Sequence, residues 1–141
     1  FHWFEVDAAR VECLRVLRPG GQVALIWNDR LQPDPFHQSL DGLLAEYGGA
    51  KGVAVSTQEQ RGNLPAFFGE TKPNEYAWPH SHTINEGGLL SLVFSRSYMP
   101  TRDSVEGAEV ASKLRQLYAR FSTDTGLVVR YTTVAYVGRP S

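Results

Sequence analysis

The sequence predicts an α/β fold in which helices pack on the faces of a small sheet. A helix end, a tight turn and an apolar strand follow one another between Leu14 and Trp27. Several later segments carry apolar residues at helical spacing. Residues 127–137 are apolar, β-branched or aromatic on both alternating faces, which predicts a strand inside the sheet, inserted between two earlier strands.

The first predicted helix spans residues 6–17, and its apolar side chains are expected to form one inward face: Phe4, Ala8, Val11, Leu14 and Leu17. Pro19 and the glycines after it end this helix, because proline lacks an N–H and glycine accepts the angles of a reversal. A strand follows at residues 22–28. Its run 23–27 does not alternate with polar residues, which predicts burial on both faces.

A second helix is predicted to open with Asp34 as N-cap and Pro35 as first helical residue, and to close at Gly48-Gly49. Its apolar stripe runs from Phe36 to Tyr47 at helical spacing. Beyond it the pattern weakens, and only short helical pieces near residues 56–61 and 65–68 are expected.

A short strand is predicted at residues 74–81, where Tyr76 and Trp78 alternate. The spacing of Thr83 and Glu86 matches a capping box and predicts a helix that ends near Ser97.

A long helix is then expected to begin at Asp103 or Ser104 and to end at about Phe121. Asp124-Thr125-Gly126 predicts a turn before the last strand.

Composition narrows the functional classes. The chain has 141 residues, 42% of them hydrophobic and 21% charged, which fits one domain, here residues 1–141, with a real core and excludes disorder. The formal net charge is −1 and no basic cluster is visible, so nucleic acid is not an expected partner. No apolar run reaches membrane-spanning length, so no membrane partner is expected either.

The number of cysteines favours one kind of cellular compartment. Cys13 is the only cysteine, which excludes an internal disulfide and suits a reducing, cytoplasmic compartment. Its place within a helix favours a small buried hydrophobe over a reactive thiol. Because the chain begins at Phe1 and its only methionine is Met99, we interpret the N-terminal edge as a cut through a larger domain.

Four segments together resemble class I S-adenosylmethionine-dependent methyltransferases of the small-molecule branch: Phe1-His2-Trp3-Phe4, Arg15 to Gly21 with the strand after it, Ser95 to Pro100, and Tyr131 to Pro140. The resemblance implies the C-terminal half of a Rossmann-like domain, with a mixed sheet of about three strands whose last strand runs antiparallel between the other two. The family's glycine-rich cofactor loop is missing from the chain. We therefore expect the chain to be inactive alone and not to bind S-adenosylmethionine tightly by itself.

Candidate site residues follow from the resemblance and from strand ends. The resemblance implies cofactor contacts for His2 and Trp3, with His2 a candidate general base. Trp27, Asn28 and Arg30 lie at the carboxyl end of a strand, where open α/β sheets bind ligands, and are the substrate-side candidates. The alternative is a packed Trp27, with Asn28 ending the strand.

Two further sets of polar residues are candidates for binding a substrate or a metal ion. Arg96 and Tyr98 could reach an acidic substrate, although pairing of Arg96 with a carboxylate or a helix end is the stronger interpretation. His80 and His82 alternate along a strand, but no third ligand stands in register, so no metal site is expected.

A second function class stays open. The chain could be a non-catalytic binding or dimerisation module, forming a homodimer through an exposed strand edge. A fragment of a dinucleotide-dependent oxidoreductase fits less well, because those folds seldom end on an inserted antiparallel strand.

Overall fold

A computed structural model describes residues 1, 4–30, 34–56 and 59–141. In chain order, the described elements are α1 (Val6–Val16), β1 (Val23–Asp29), α2 (Pro35–Ser56), a 3₁₀ helix (Glu59–Asn63), α3 (Leu64–Phe68), β2 (Asn74–Ile84), α4 (Glu86–Phe94), α5 (Val105–Phe121) and β3 (Leu127–Gly138).

The three strands form one sheet in the order β1-β3-β2. The last strand therefore lies between the two earlier ones, which confirms the inserted strand predicted from its two apolar faces. β3 pairs antiparallel with β1, from Val23 opposite Gly138 to Asp29 opposite Thr132. This confirms the antiparallel orientation that the resemblance implied.

β3 also runs opposite to β2. Pro73, just before β2, lies against Gly138 at the end of β3, while Ile84 at the end of β2 lies against Gly126 just before β3. Gly126 has a φ of +115°, and a Cβ there would stand 2.8 Å from the Ile84 carbonyl oxygen. The turn that starts β3 therefore needs glycine.

The chain divides into two compact units. The first comprises Phe1–Asp29, Glu59–Pro79 and Thr132–Ser141, and the second comprises Arg30–Gln58 and His80–Tyr131. β2 and β3 contribute residues to both.

Each unit has its own buried side chains. In the first unit they include Phe67, Phe68, Val134 and Ala135. The second unit buries a larger cluster from α2, α4, α5 and the start of β3: Phe36, Leu40, Leu43, Leu44, Leu89, Leu90, Val93, Met99, Val110, Ala111, Leu114, Leu127 and Val129.

The α1 helix forms as predicted, but its inward face was predicted wrongly. No α1 residue is buried, and Phe4 and Val11 are exposed. The prediction of a strand covered on both faces is also wrong for β1, because burial alternates along it and Ile26 is 62% exposed. No described element covers the outward face of β1. The apolar side chains on that face are therefore exposed to solvent.

The α2 helix begins as predicted. The Asp34 carboxylate accepts a hydrogen bond from the His37 backbone N–H, at 2.9 Å, and Pro35 is the first helical residue. Gly49 breaks the helix with a φ of 57°, as its glycine pair predicts. Helical conformation then resumes to Ser56, which the sequence did not predict.

The prediction of a capping box that begins at Thr83 is wrong. β2 continues through Thr83 to Ile84, and Asn85 is the N-cap of α4, its side chain accepting from the Gly88 N–H. Asparagine caps as well as threonine, and the β-branched Thr83 fits the strand. The α4 helix also ends earlier than predicted, at Phe94 instead of near Ser97.

The α5 helix matches its prediction. Ser104 is its N-cap, with the side chain accepting from the Gly107 N–H, and the helix ends at Phe121. The predicted alternation in β2 is confirmed as well, because Tyr76 and Trp78 stack on one strand face with ring centroids 5.8 Å apart.

Candidate functional site

The predicted cofactor contacts, His2 and Trp3, lie outside the described residues. Their neighbour Phe1 is described, and its ring packs edge-on against Phe67 at 4.9 Å and against Trp27 at 6.3 Å. Phe1 is therefore part of the aromatic packing of the first unit.

Trp27 is half-buried on the face of β1 that alternates inward. Its ring packs edge-on against Tyr136 of β3, at 5.9 Å, and the Arg61 guanidinium lies 5.6 Å from the ring centroid. Arg61 lies at the same distance from the Tyr136 ring. These contacts favour the packing alternative for Trp27, since its ring already has partners of the kind that a ligand would supply.

The ion pair beside Trp27 was not predicted from the sequence. Arg61 Nη2 donates to Asp29 Oδ2 at 2.5 Å, and both side chains are less than a fifth exposed. Asp29 could have been singled out as a carboxylate at a strand end. Arg61 could not, because it lies in a segment where the sequence shows no clear periodicity.

Asn28 faces the other side of the sheet from Trp27, as successive strand residues must. Its Oδ1 accepts a hydrogen bond from Thr133 Oγ1 at 2.7 Å. The side chain thereby ties β1 to β3, and its amide nitrogen stays available to a ligand.

An apolar cavity of about 450 Å³ lies against α1. Glu5 and Glu12 stand among its lining residues, and its apolar walls are Phe1, Phe4, Ala8, Ala9, Cys13, Leu25 and Phe67. Cys13 is thus half-buried in an apolar wall, which is closer to the predicted hydrophobe than to an activated thiol.

Arg30 belongs to the second unit, where its charge acts on Asp41 of α2 and on Arg96 beyond α4. Burial raises the pKa of Asp41, and the charges of Arg30 and Arg96 oppose that rise. Burial and the Arg30 charge lower the pKa of Arg96. Arg96 Nη1 also donates to the Leu92 carbonyl at the end of α4, which confirms the predicted pairing with a helix end.

His37 is the most buried titratable side chain among the described residues, at 1% exposure. Its Nδ1 lies 2.7 Å from Asp34 Oδ2, and its Nε2 accepts from the Arg130 backbone N–H at 3.3 Å. An accepting Nε2 places the proton of the neutral ring on Nδ1, where it is donated to Asp34. With both nitrogens engaged, His37 anchors β3 to α2 and is not placed to act as a general base.

The Asp34 carboxylate predicts a pH dependence. Partial burial raises its pKa, but hydrogen bonds from the backbone and ring of His37 and the charge of Arg130 outweigh burial, so the pKa lies below its usual 3.8. A lowered carboxyl pKa stabilises the fold above the unfolded value, and that stability is lost as pH falls through the folded value.

We therefore expect Asp34→Asn to unfold at lower urea concentration than the parent chain at pH 7, and the gap to close below pH 3.8. Asparagine also caps helices, so this variant keeps the cap while it removes the charge and one of the two oxygens that accept from His37, whereas Asp34→Ala should lose about 1 kcal/mol more through the missing cap. A gap that stays constant from pH 7 to pH 3 would contradict the proposed role of the charge.

The histidines of β2 do not form a described metal cluster. The His80 ring stacks on Tyr131 of β3, with centroids 5.2 Å apart. Within residues 1, 4–30, 34–56 and 59–141, no group of three or more histidine, cysteine, aspartate or glutamate side chains is arranged to hold a metal ion.

The chain is similar to curated proteins whose names call them methyltransferases. An uncharacterized methyltransferase of Mycobacterium tuberculosis is 30% identical over 137 residues, which cover 95% of this chain and 53% of that protein. An uncharacterized methyltransferase-like protein of Schizosaccharomyces pombe is 26% identical over 139 residues, covering 96% of this chain and 54% of its own length.

A second protein of the same yeast, an uncharacterized methyltransferase, is 43% identical over 97 residues, covering 67% of this chain and 38% of its own length. No protein-family model matches the chain. The chain spans about half the length of the first two relatives. No helix among the described residues is both long enough and apolar enough to cross a bilayer.

Proposed function

We propose that this chain belongs to the methyltransferase family and forms the C-terminal part of a domain that transfers a methyl group from S-adenosylmethionine to a small molecule. The observation that carries the proposal is the antiparallel final strand, β3, lying between β1 and β2. It is the arrangement that the resemblance implied, in a chain related to methyltransferases along 95% of its length.

The described residues include a cavity that suits one part of S-adenosylmethionine. S-adenosylmethionine supplies an electrophilic methyl group and carries a flat adenine ring and a sulfonium cation. The cavity beside α1 has aromatic and aliphatic walls that suit a flat ring, and the carboxylate of Glu5 suits hydroxyl or ammonium groups, whereas that of Glu12 is paired with Arg15. The described residues include no glycine-rich loop between a strand and a helix, so they fit one side of the cofactor only.

The exposed side of the first unit supports completion by another segment. β1 is an edge strand of the described sheet, and apolar residues of β1 and α1 face outward, including Ile26, Phe4 and Val11. An open strand edge beside apolar side chains favours pairing with a further strand. In a protein about twice as long, the remaining half is the occupant that we propose.

Within this proposal, His2 and Trp3 remain predicted cofactor contacts, and Trp27, Asn28 and Arg30 remain predicted substrate-side residues. These residues would position the reactants, because methyl transfer from a sulfonium is an in-line displacement and depends on alignment of the reacting atoms and exclusion of water. Trp27 and Asn28 would act from the first unit, Trp27 from within its packed ring cluster, whereas Arg30 belongs to the second unit.

The test is isothermal titration with S-adenosylmethionine of two proteins: the 141-residue chain, and the gene product extended upstream of Phe1. We expect the extended protein to bind saturably and the short chain to bind weakly or not at all, because the short chain lacks the glycine-rich loop. ATP is the control ligand, since it shares the adenosine but lacks the sulfonium. Absence of binding by the extended protein would refute the methyltransferase proposal, and tight binding by the short chain would refute the proposed division between halves.

The alternative, a dimerisation module, rests on the same open edge of β1. Size-exclusion chromatography with light scattering separates the two. A stable dimer of the extended protein that dissociates in an Ile26→Lys variant would favour the module, because a charge on the outward face opposes pairing there. A monomeric extended protein that binds the cofactor would favour the enzyme.

A further inference from the structure

One hydrogen-bond donor of the Arg30 side chain has no partner among the described residues. Its Nη1 atom is buried, and it has no hydrogen-bond partner among residues 1, 4–30, 34–56 and 59–141. A buried donor left unpaired is costly, and more so when it belongs to a charged group. Such an atom in a native protein calls for a partner, and a ligand is one source of it.

Charged side chains lie near Arg30. Arg96 stands near enough for the Arg30 charge to act on it, and Asp41 interacts with both arginines. Both guanidinium groups therefore act on the same carboxyl group, whose pKa is raised by burial.

Arg96 is held in place by a backbone carbonyl and by phenol groups. One nitrogen donates to the Leu92 carbonyl, and Tyr98 forms a side-chain hydrogen bond with the guanidinium. Tyr98 is itself packed against α2, where Gly48 leaves room for its ring. Tyr131 of β3 adds a second phenol near Arg96. These contacts position the guanidinium without neutralising it.

We propose that Arg30 and Arg96 together bind a carboxylate group of the methyl-accepting substrate, a step that rests on the proposed function. The planar fork of arginine matches the two oxygens of a carboxylate. The ligand class is therefore a small carboxylic acid.

The probe is sodium acetate, added to the ¹⁵N-labelled 141-residue chain at ionic strength held constant with sodium chloride. We expect the Nε–H resonances of Arg30 and Arg96 to shift saturably, because acetate fills the unpaired donor. The Arg115 resonance is the control, since this side chain of the same unit is exposed and 3.4 Å from Glu86. Equal shifts at Arg115, or equal shifts with chloride alone, would overturn the proposal.

Substitutions and a second anion sharpen the test. Arg30→Lys and Arg96→Lys keep the charge and lose the planar fork, so acetate affinity should fall by about tenfold in each, while Arg115→Lys should leave it unchanged. Unchanged affinity in both cluster variants would overturn the proposal. Inorganic phosphate that binds more tightly than acetate would overturn the carboxylate assignment.

Acetate binding requires neither the cofactor nor methyl transfer. The acetate experiment can therefore fail while the extended protein still binds S-adenosylmethionine, and the reverse outcome is equally distinct.

Discussion

Replacing Asp29 by asparagine is expected to lower the free energy of unfolding of the first unit by about 2–4 kcal/mol, because it leaves the Arg61 guanidinium largely buried without its counter-charge. The two side chains are 16% and 17% exposed, so water screens them little. Fluorescence reports this unit, since Trp27 and Trp78 both belong to it. The measurement is urea unfolding followed by tryptophan emission.

A double-mutant cycle with Arg61→Met separates the pair from the other contacts of each residue. We expect the loss in the double variant to be smaller than the sum of the two single losses by about 1–3 kcal/mol. The exposed pair of Lys113 and Glu46 is the matched control in the second unit, and its coupling should be too small to resolve and should vanish in high salt. Additive losses for Asp29 and Arg61 would show that their contact contributes nothing.

Leu114→Ala should destabilise the second unit by about 2–5 kcal/mol. Leu114 is 0% exposed and belongs to the cluster formed by α2, α4, α5 and β3. Truncation removes buried apolar surface and leaves a cavity that the surrounding helices fill only in part. Circular dichroism at 222 nm is the appropriate signal, because the long helices lie in this unit.

Val105→Ala is the control on the same helix. Val105 is 76% exposed, so its truncation should change stability by less than about 0.5 kcal/mol. The tryptophan signal offers a second comparison, since a Leu114 variant that shifts the helical transition more than the fluorescence transition would indicate that the units unfold separately. Equal losses for Leu114 and Val105 would contradict the assignment of the core.

Local signals in the sequence predicted most of the elements. Asp34-Pro35, Ser104 and the turn ending at Gly20-Gly21 each act through their own backbone and nearest neighbours, so the helix starts and the first strand were placed correctly. The errors at Thr83 and Ser97 have the same origin. Thr83 can both cap a helix and extend a strand, and pairing within the sheet decided between the two.

The site was predicted less completely. Arg30 and Arg96 were identified from strand ends and residue type, and the sequence also predicted that Arg96 would meet a helix end. The contribution of Asp41 could not be predicted, because on its own it reads as an ordinary polar residue of an amphipathic helix. The role of His37 was also missed, since its Nε2 partner is a backbone N–H 93 residues further along the chain.

The sequence by itself determined the α/β class, the interior position of the last strand and the relation to methyltransferases. Periodicity and propensity are local properties, and two apolar faces favour a position inside a sheet, as in β3, although the apolar run of β1 lies at an edge of the described sheet. Only the tertiary structure decided which charges meet. Asp29 with Arg61, and Arg30 with Asp41 and Arg96, are neighbours because the chain folds back on itself, and the energy of a charge depends on those neighbours and on its burial more than on its place in the sequence.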